Sequence, residues 1–420
     1  MSALPSFRPA YVEVNLDAVR ANAALLTRLA GPARLCAVVK ADGYGHGAAP
    51  IAAAALEGGA TVLAVALVEE GIALRASGLE AEILLLSEPT FDAMAAAVEH
   101  RLTPTIYRLS GVEAVRAAAA RLGRPVAVEV KLDSGMHRVG ADEGTVVEVV
   151  EAIVAAPELV FAGLWTHFAV ADVPDDPFTD LQLARLLRIR DELALRQIVP
   201  ARLHAANSAG TIAHPASRLD LVRCGIALYG HLPSPALRGS VERALDGAAL
   251  RPALSWRAAV HLVRPLAAGE RTSYGRNYEV AHDGYVAVVP LGYHDGVPRR
   301  LATTGGEVLI GGRRRPIAGT VTMDQIIVDL GDDDGVRPGD EVVLIGRQGD
   351  EEVPVEEWAQ RLGTIGYEVI CQIGPRVPRR YRDLAAGVGP GATDGGGSRA
   401  LDSAPGARAP SPAGGATGRR

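Results

Sequence analysis

A lysine at the end of an apolar run is the first residue in this sequence that could do chemistry. Lys40 follows LCAVV (35 to 39) and opens the glycine-rich segment KADGYGHG. A buried strand that delivers a lysine into such a loop removes water from its ammonium group, which lowers the lysine pKa and frees the amine as a nucleophile or base. Gly43, Gly45 and Gly47 lack the G-x-G-x-x-G spacing of a dinucleotide-binding turn. A lone lysine at a strand end is usually solvated, so its role depends on what surrounds it.

Polar residues also end several later apolar runs. They are Lys131 and Asp133, then His167, then His204, Asn207 and Ser208, and finally Arg223 and Gly225. Ser208 and the backbone N–H groups of Gly225 and Ile226 have the composition of a phosphate cradle, because small residues let backbone donors approach an anion closely. His167 could be a core histidine bonded to a carbonyl group, whereas beside a planar cofactor it would stack on the ring.

The elements that must position these residues form a repeating pattern from residue 11 to 230. Apolar, β-branched runs alternate with helix-period stretches such as 16 to 30, where apolar residues recur every three or four positions. The predicted strands span 35–39, 61–67, 82–87, 103–107, 126–133, 161–167, 202–208 and 222–230. This pattern predicts an α/β fold, a (β/α)8 barrel whose active site lies where the strands end.

The pattern changes after about residue 245 to short strands and tight turns, which predicts a mainly β second domain. We therefore expect a barrel over 11–243, a β domain formed by 1–10 and 244–384, and a Gly/Ala/Pro-rich tail over 385–420. The tail is predicted to be disordered, because it has too little apolar surface to form a core.

Composition narrows the classes of function. The chain has 420 residues, of which 48% are hydrophobic and 22% charged, with a formal net charge of −6. No basic stripe suits nucleic acid, and the run 313–315 lies between Gly312 and Pro316, which favours a solvated hairpin turn. No apolar run approaches the roughly 18 residues of a membrane span, and no signal peptide is evident, so we expect a cytoplasmic location and no membrane partner. The cysteines have no spacing typical of zinc or a disulfide framework, so no metal is expected: Cys36, Cys224 and Cys371.

Nine segments taken together resemble the alanine racemase family, whose members use pyridoxal 5′-phosphate (PLP) on a fold-type III barrel. They run in the family's order from Lys40 to Arg379 and cover nearly all of the predicted folded chain. The segments are AVVKADGYGHG, KLDSGMHRVG, WTHFAVAD, HAANSAG, VRCGIALYG, TSYGRNY, PLGYHDG, TVTMDQ and TIGYEVICQIGPRVPR.

The resemblance implies a cofactor site around Lys40, which would hold PLP as a Schiff base. The phosphate would be bound by Tyr44, Ser208, Gly225, Ile226 and Tyr367, with His167 stacked on the ring and Asn207 nearby. Arg223 would face the pyridine nitrogen and His204 would orient it. Because an arginine does not give up its proton, the ring nitrogen would stay unprotonated, which restrains side reactions.

The resemblance also implies two bases, one on each side of the substrate Cα. Lys40 would be one and Tyr274, from the β domain of a partner subunit, the other, in a head-to-tail homodimer that interconverts L- and D-alanine for peptidoglycan. A tyrosine base needs nearby positive charge, which Arg138 could supply while it binds the substrate carboxylate. Met323 and Asp324 would line the substrate side, Tyr293 the entry, and Lys131, carbamylated in many members, would position Arg138.

Two positions depart from the family pattern. Thr322 stands where the family often has cysteine, and His294 stands where alanine is common. Thr322 puts detail of the substrate pocket in doubt, and neither departure alters the expected reaction.

Three alternatives stay open from the sequence. A PLP-dependent decarboxylase on the same architecture would place an acidic residue against the pyridine nitrogen, where this chain has Arg223. A PLP-binding protein without catalysis would leave Tyr274 unexplained. A racemase of shifted specificity, for serine or lysine, would keep every catalytic residue, and a small pocket rejects an added hydroxyl only weakly.

Overall fold

The computed structural model describes residues 7–383, beginning with strand β1 (Ala10–Asn15) and continuing into a barrel. Eight parallel strands form the barrel, one at each predicted position and most of them shorter than predicted. They are β2 (Arg34–Val38), β3 (Val62–Val65), β4 (Glu82–Leu85), β5 (Thr105–Ile106), β6 (Val126–Lys131), β7 (Leu159–Trp165), β8 (Leu203–His204) and β9 (Leu221–Cys224). The predicted α/β fold class with a barrel is confirmed.

The barrel strands pair in two parallel groups. One has the order β4-β3-β2-β9 and the other β5-β6-β7-β8. A bridge between Leu84 and Thr103 joins the groups on one side. On the other, the Arg223 amide donates to the Ala206 carbonyl at 2.9 Å. The strands therefore close into one ring, with their carboxyl ends at the same mouth.

Helices alternate with the barrel strands. They are α1 (Leu16–Ala30), α2 (Lys40–Tyr44), α3 (Ala48–Glu57), α4 (Val68–Ala76), α5 (Phe91–Glu99), α6 (Leu109–Leu122), α7 (Val146–Val154), α8 (Phe178–Leu195), α9 (Ser208–Ala213) and α10 (Arg238–Leu245). Helix α1 has the bounds that its apolar spacing predicts. The Asn15 side chain caps it by accepting from the Ala18 amide at 3.1 Å, and Val19 and Leu26 are fully buried.

Up to residue 383, the carboxyl-terminal part is mainly β, with two α-helices. Its elements are β10 (Leu254–Ala259), β11 (Leu262–Leu266), β12 (Arg271–Thr272), β13 (Tyr278–Glu279), β14 (Gly284–Val289), β15 (Glu307–Ile310), β16 (Arg313–Pro316), β17 (Ile326–Gly331), β18 (Glu341–Gln348), β19 (Glu351–Val353), α11 (Val355–Leu362), α12 (Gly366–Cys371) and β20 (Arg379–Arg382). Short 3₁₀ helices occur in both parts of the chain. Those in the barrel region are Pro215–Ser217, Ile226–Tyr229 and Pro235–Leu237, and those in the carboxyl-terminal part are Tyr274–Arg276, Tyr293–Asp295 and Leu301–Thr304.

The largest sheet of this part includes the first strand of the chain. Its order is β16-β15-β18-β10-β1-β20, with β19 paired to β18. A second sheet has the order β11-β14-β17, and β12 pairs with β13. Because β1 pairs with β10 and β20, the predicted boundary at residue 11 falls inside a strand of the β region. The predicted disordered tail, 385–420, lies outside the described residues.

The arginine run 313–315 is a strand and not the predicted solvated turn. The turn of this hairpin is Gly311–Gly312, and both glycines have positive φ. Arg314 pairs with carboxylates on three sides, including Glu357 at 2.8 Å, and Arg315 pairs with Asp333. The prediction was wrong because Arg314 and Arg315 have acidic partners in other elements, whereas only Arg313 is exposed to solvent.

Within residues 7–383, none of the helices combines the length and apolar character that a membrane crossing requires.

Candidate functional site

A cavity of about 550 Å³ opens at the carboxyl ends of the barrel strands. All nine residues predicted to hold the cofactor line it, as do Lys131 and Arg138, although they come from distant parts of the sequence. Those lining it are Lys40, Tyr44, Lys131, Arg138, His167, Asn207, Ser208, Arg223, Gly225, Ile226 and Tyr367. The expected convergence at the barrel mouth therefore holds for this group.

Lys40 begins a turn with unusual backbone geometry. Ala41, Asp42 and Tyr44 have φ values of 53°, 51° and 52°, in the left-handed region that non-glycine residues rarely adopt. The Glu70 carboxylate holds this turn to the end of β3, because it accepts from the amides of Ala41 at 2.6 Å and Ala66 at 2.8 Å. Neighbouring hydrogen bonds thus fix the backbone that presents the lysine.

Positive charge is concentrated in the cavity. Burial, followed by the charge of Arg138, lowers the pKa of Lys40, so its amine loses its proton more readily than a free lysine. Burial and the nearby Arg223 lower the pKa of Lys131 to about 7. Burial and the same cations hold the pKa of His167 well below its ordinary value, so its imidazole is neutral. No carboxylate belongs to the described residues that line the cavity.

One wall of the cavity is a cradle of hydroxyl and amide groups. The Ser208 hydroxyl accepts from the Gly225 amide at 3.0 Å. A Cβ placed on Gly225 would lie 2.3 Å from the Tyr44 hydroxyl oxygen, so only glycine lets that hydroxyl approach the backbone. Burial raises the pKa of the Tyr44 and Tyr367 hydroxyls, which keeps both as neutral donors. Neutral donors with several cations nearby fit a phosphate group such as that of PLP.

Arg223 is fixed at the floor of the cavity. Its guanidinium donates to the backbone carbonyls of Thr166 at 2.8 Å and Ala205 at 2.9 Å. Its Nη1 also lies 2.6 Å from His204 Nδ1. A guanidinium has five N–H groups, so donors remain for a ring nitrogen. His204 is fully buried behind Arg223 and does not line the cavity, so its orienting role stays a prediction.

Sequence reasoning missed three residues around this floor and the lysine turn. They are Glu70, Glu129 and Trp165. The Trp165 ring stacks on His204 with centroids 5.5 Å apart, and the Lys131 Nζ lies 4.5 Å from its centroid. Glu129 offered a signal, because it is a carboxylate in the middle of the apolar run VAVEV.

Tyr274 does not reach the barrel cavity within one chain. It lines a second cavity of about 540 Å³, together with residues of β11, β14 and β17. Its side chain is 73% exposed, although its backbone is held because its carbonyl accepts from the Thr320 hydroxyl at 2.8 Å. A phenol presented in this way is available to another surface.

The other residues predicted on the substrate side lie in turns next to that of Tyr274. The Tyr293 amide donates to the Thr322 carbonyl at 2.9 Å, which joins the turn 292–295 to the turn 320–324. Met323 and Tyr293 are exposed. Asp324 accepts from Arg376 at 2.8 Å. These residues form a second group, separate from the barrel mouth.

Comparison with known proteins matches both halves of the chain. The model of the alanine racemase N-terminal domain matches residues 14–233, and that of the C-terminal domain matches residues 253–381. The alanine racemase of Symbiobacterium thermophilum is 45% identical over 378 residues, which cover 90% of this chain and 98% of that protein. The alanine racemase of Frankia casuarinae is 42% identical over 371 residues, 88% of this chain and 95% of that protein.

Solved structures agree with these relatives. The crystal structure of alanine racemase from D-cycloserine-producing Streptomyces lavendulae has a TM-score of 0.84 and 39% sequence identity. It covers 90% of this chain and 98% of that one.

Proposed function

This chain belongs to the alanine racemase family, and from that premise we propose that it interconverts L- and D-alanine with bound PLP, which makes it an isomerase. The observation that carries the proposal is the barrel cavity, in which Lys40 stands among the cations Lys131, Arg138 and Arg223. The phosphate of an anionic cofactor and the carboxylate of an amino acid would supply the negative charge that this cavity lacks. The D-alanine product would serve peptidoglycan synthesis.

Distinct groups would hold the parts of the cofactor. Tyr44, Ser208, Tyr367 and the backbone of Gly225 and Ile226 would bind its phosphate. Arg223 would donate to the ring nitrogen, and His167 would stack on the ring with Asn207 nearby. PLP would supply an electron sink that acidifies the substrate Cα–H bond, and Lys40, which would carry the cofactor in the absence of substrate, would be free to act as a base during the reaction.

Racemisation needs a proton acceptor on one face of Cα and a proton donor on the other. The Lys40 amine would serve one face, because burial and the charge of Arg138 favour its neutral form. The Tyr274 hydroxyl of a partner subunit would serve the other, with Met323, Asp324 and Tyr293 beside it. Exchanging these roles reverses the direction of the reaction.

The substrate carboxylate would be bound by Arg138. An arginine presents paired N–H donors to a carboxylate and keeps its charge, so it would both orient alanine and place positive charge near the Tyr274 hydroxyl of a partner subunit. Lys131, which a carbamyl group could convert to an anion, would position Arg138.

A head-to-tail homodimer would be the working unit. This proposal rests on the placement of Lys40 and Tyr274 in different cavities and on the exposure of the Tyr274 side chain. A dimer that exchanges equivalent surfaces around a twofold axis completes two sites at once.

The test is conversion of pure L-alanine by the purified PLP-loaded protein, with D-alanine detected by a coupled D-amino-acid oxidase. L-serine and L-lysine run in parallel, and release of carbon dioxide is monitored. We expect rapid approach to racemic alanine and slower serine turnover. Alanine that stays L while another amino acid racemises or loses carbon dioxide would overturn the substrate assignment.

A further inference from the structure

Glu129 is a carboxylate buried in the barrel wall, with no exposed surface. It lies on β6, two residues before Lys131 and on the same face of the strand. Its Oε2 is 3.0 Å from His204 Nε2, and its Oε1 accepts from the Arg202 Nε. A buried charge is tolerated only when hydrogen bonds and an opposite charge compensate it. Glu129 has both, and one of its partners is the histidine that contacts Arg223.

The charges of Glu129 and His204 follow from their surroundings. Burial alone would raise the pKa of Glu129, but the hydrogen bond from His204 and the hydrogen bond and charge of the Arg202 guanidinium lower it, so Glu129 is an anion. Burial lowers the pKa of His204 to about 4, so the imidazole is neutral at neutral pH. A neutral imidazole carries one N–H.

The neighbours of His204 decide which nitrogen carries that proton. The Glu129 carboxylate can only accept, so the nitrogen facing it, Nε2, must donate. The Arg223 guanidinium can only donate, so the nitrogen facing it at 2.6 Å, Nδ1, must accept. Both contacts therefore require the same Nε2–H tautomer.

We propose that Glu129 is a positioning residue for the racemisation proposed above. Its carboxylate holds His204 in the Nε2–H tautomer, and His204 in turn holds the Arg223 guanidinium toward the cofactor ring nitrogen. The tautomer of His204 can be measured whether or not the protein racemises alanine. Only the expected effect of Glu129 on catalysis rests on the proposed function.

On the side away from His204, Arg202 keeps the Glu129 carboxylate in place. Arg202 pairs with both Glu129 and Glu82, and its Nη1 lies 2.8 Å from a Glu82 carboxylate oxygen. The charges of the side chains therefore alternate along this network: Glu82 is negative, Arg202 positive, Glu129 negative and Arg223 positive. Neutral His204 lies between Glu129 and Arg223. Without Glu129, two arginines would face the imidazole and no acceptor would hold its Nε2–H.

The substitution Glu129→Gln changes this arrangement without changing the side-chain size. The charged Arg202 retains the amide oxygen as its acceptor, so the amide NH2 faces His204 Nε2. That nitrogen must then accept, which moves the imidazole proton to Nδ1 and sets it against an Arg223 N–H. Glu82→Gln is the matched control, because it removes a carboxylate from Arg202 and leaves His204 untouched.

The experiment uses the full-length PLP-loaded protein labelled with ¹⁵N-histidine. The His204 signals are assigned by their loss in His204→Asn, and nitrogen shifts report the tautomer. We expect Nε2–H in the unsubstituted protein and in Glu82→Gln, and Nδ1–H in Glu129→Gln. We also expect Glu129→Gln to shift the visible absorption of the bound cofactor and to lower kcat by about 10- to 100-fold, with KM less affected, as for a lost charged hydrogen bond.

Two results overturn the proposal. One is an Nδ1–H or doubly protonated His204 in the unsubstituted protein, a measurement that holds even if Glu129→Gln fails to fold. The other is a Glu129→Gln protein that keeps the original tautomer, absorption and kcat. Absence of alanine racemisation in the unsubstituted protein would refute the proposed function instead, and would leave the tautomer measurement intact.

Discussion

Gly225→Ala tests the phosphate cradle at its most crowded point. The added Cβ would lie 2.3 Å from the Tyr44 hydroxyl oxygen, more than 1 Å inside an ordinary contact, which begins at 3.4 Å. Gly225 has a φ of −102°, so the clash and not positive-φ strain is the perturbation. The Tyr44 ring has little room to move, because its centroid is 4.8 Å from that of Tyr229. Alanine must therefore displace the hydroxyl from the cradle.

The expected magnitude follows from the hydrogen bond that is lost. A hydrogen bond to a charged group such as phosphate contributes about 1.5–3 kcal/mol, so the dissociation constant of PLP should rise by about 10- to 150-fold. The assay is titration of the cofactor-free protein with PLP, followed by visible absorbance. Overpacking should also lower the free energy of unfolding by about 1–3 kcal/mol, measured by urea denaturation.

Two further variants make the test specific. Gly239→Ala is the control, because a Cβ there meets only the Arg243 side chain at 3.4 Å. Tyr44→Phe removes the closest clashing atom and leaves the ring carbon Cζ 3.0 Å from the added Cβ, so adding Gly225→Ala to it should weaken PLP binding less than in the original protein. PLP binding by Gly225→Ala that equals the unsubstituted protein, or an equal loss in both backgrounds, would refute the reasoning.

The remaining predictions concern the proposed second base and a buried cation. Tyr274→Phe should bind PLP normally yet lose proton exchange on one face of Cα, measured as deuterium incorporation from D₂O into each enantiomer; unchanged rates in both directions would contradict the assignment. Lys131→Met removes a lysine whose pKa is lowered to about 7 by burial. Between pH 7 and about 10, Lys131 is therefore protonated in the unfolded unsubstituted protein but largely neutral in the native protein. The unsubstituted protein should therefore gain free energy of unfolding relative to Lys131→Met as pH rises, by up to about 1.4 kcal/mol per pH unit, in bicarbonate-free guanidinium titrations. A pH-independent difference would show that Lys131 titrates normally.

The barrel could be predicted from sequence because its signals are local. Strands buried on both faces are short apolar runs, and α1 shows its period and its cap directly. The sequence placed residues 1–10 in the β domain, but the continuation of β1 through residues 11–15 in the carboxyl-terminal sheet could not be predicted in this way. Its partners β10 and β20 lie hundreds of residues away, and local periodicity does not encode pairing.

The residues of the candidate site also divide into those that local sequence signals predict and those that depend on distant contacts. Residues at strand ends, such as Lys40 and Arg223, could be proposed because the barrel brings those ends together. The run 313–315 was misjudged because its acidic partners, among them Glu357, come from other elements. Glu129 was overlooked because its importance depends on the tautomer of His204, which only the contacts around the imidazole define.

The separation of Tyr274 from the barrel cavity has a genetic consequence. In the proposed head-to-tail dimer, a Lys40→Ala chain and a Tyr274→Phe chain are each inactive alone. A mixed dimer, however, combines both defects in one site and leaves the other site intact. If the two chains pair at random, half of the dimers are mixed, and each mixed dimer has one intact site. Coexpression should therefore give about a quarter of the active sites of the unsubstituted protein. Two recessive defects in one gene would then complement each other, and either defective chain, when in excess, would inactivate one of the two sites in each dimer that it forms with a normal chain.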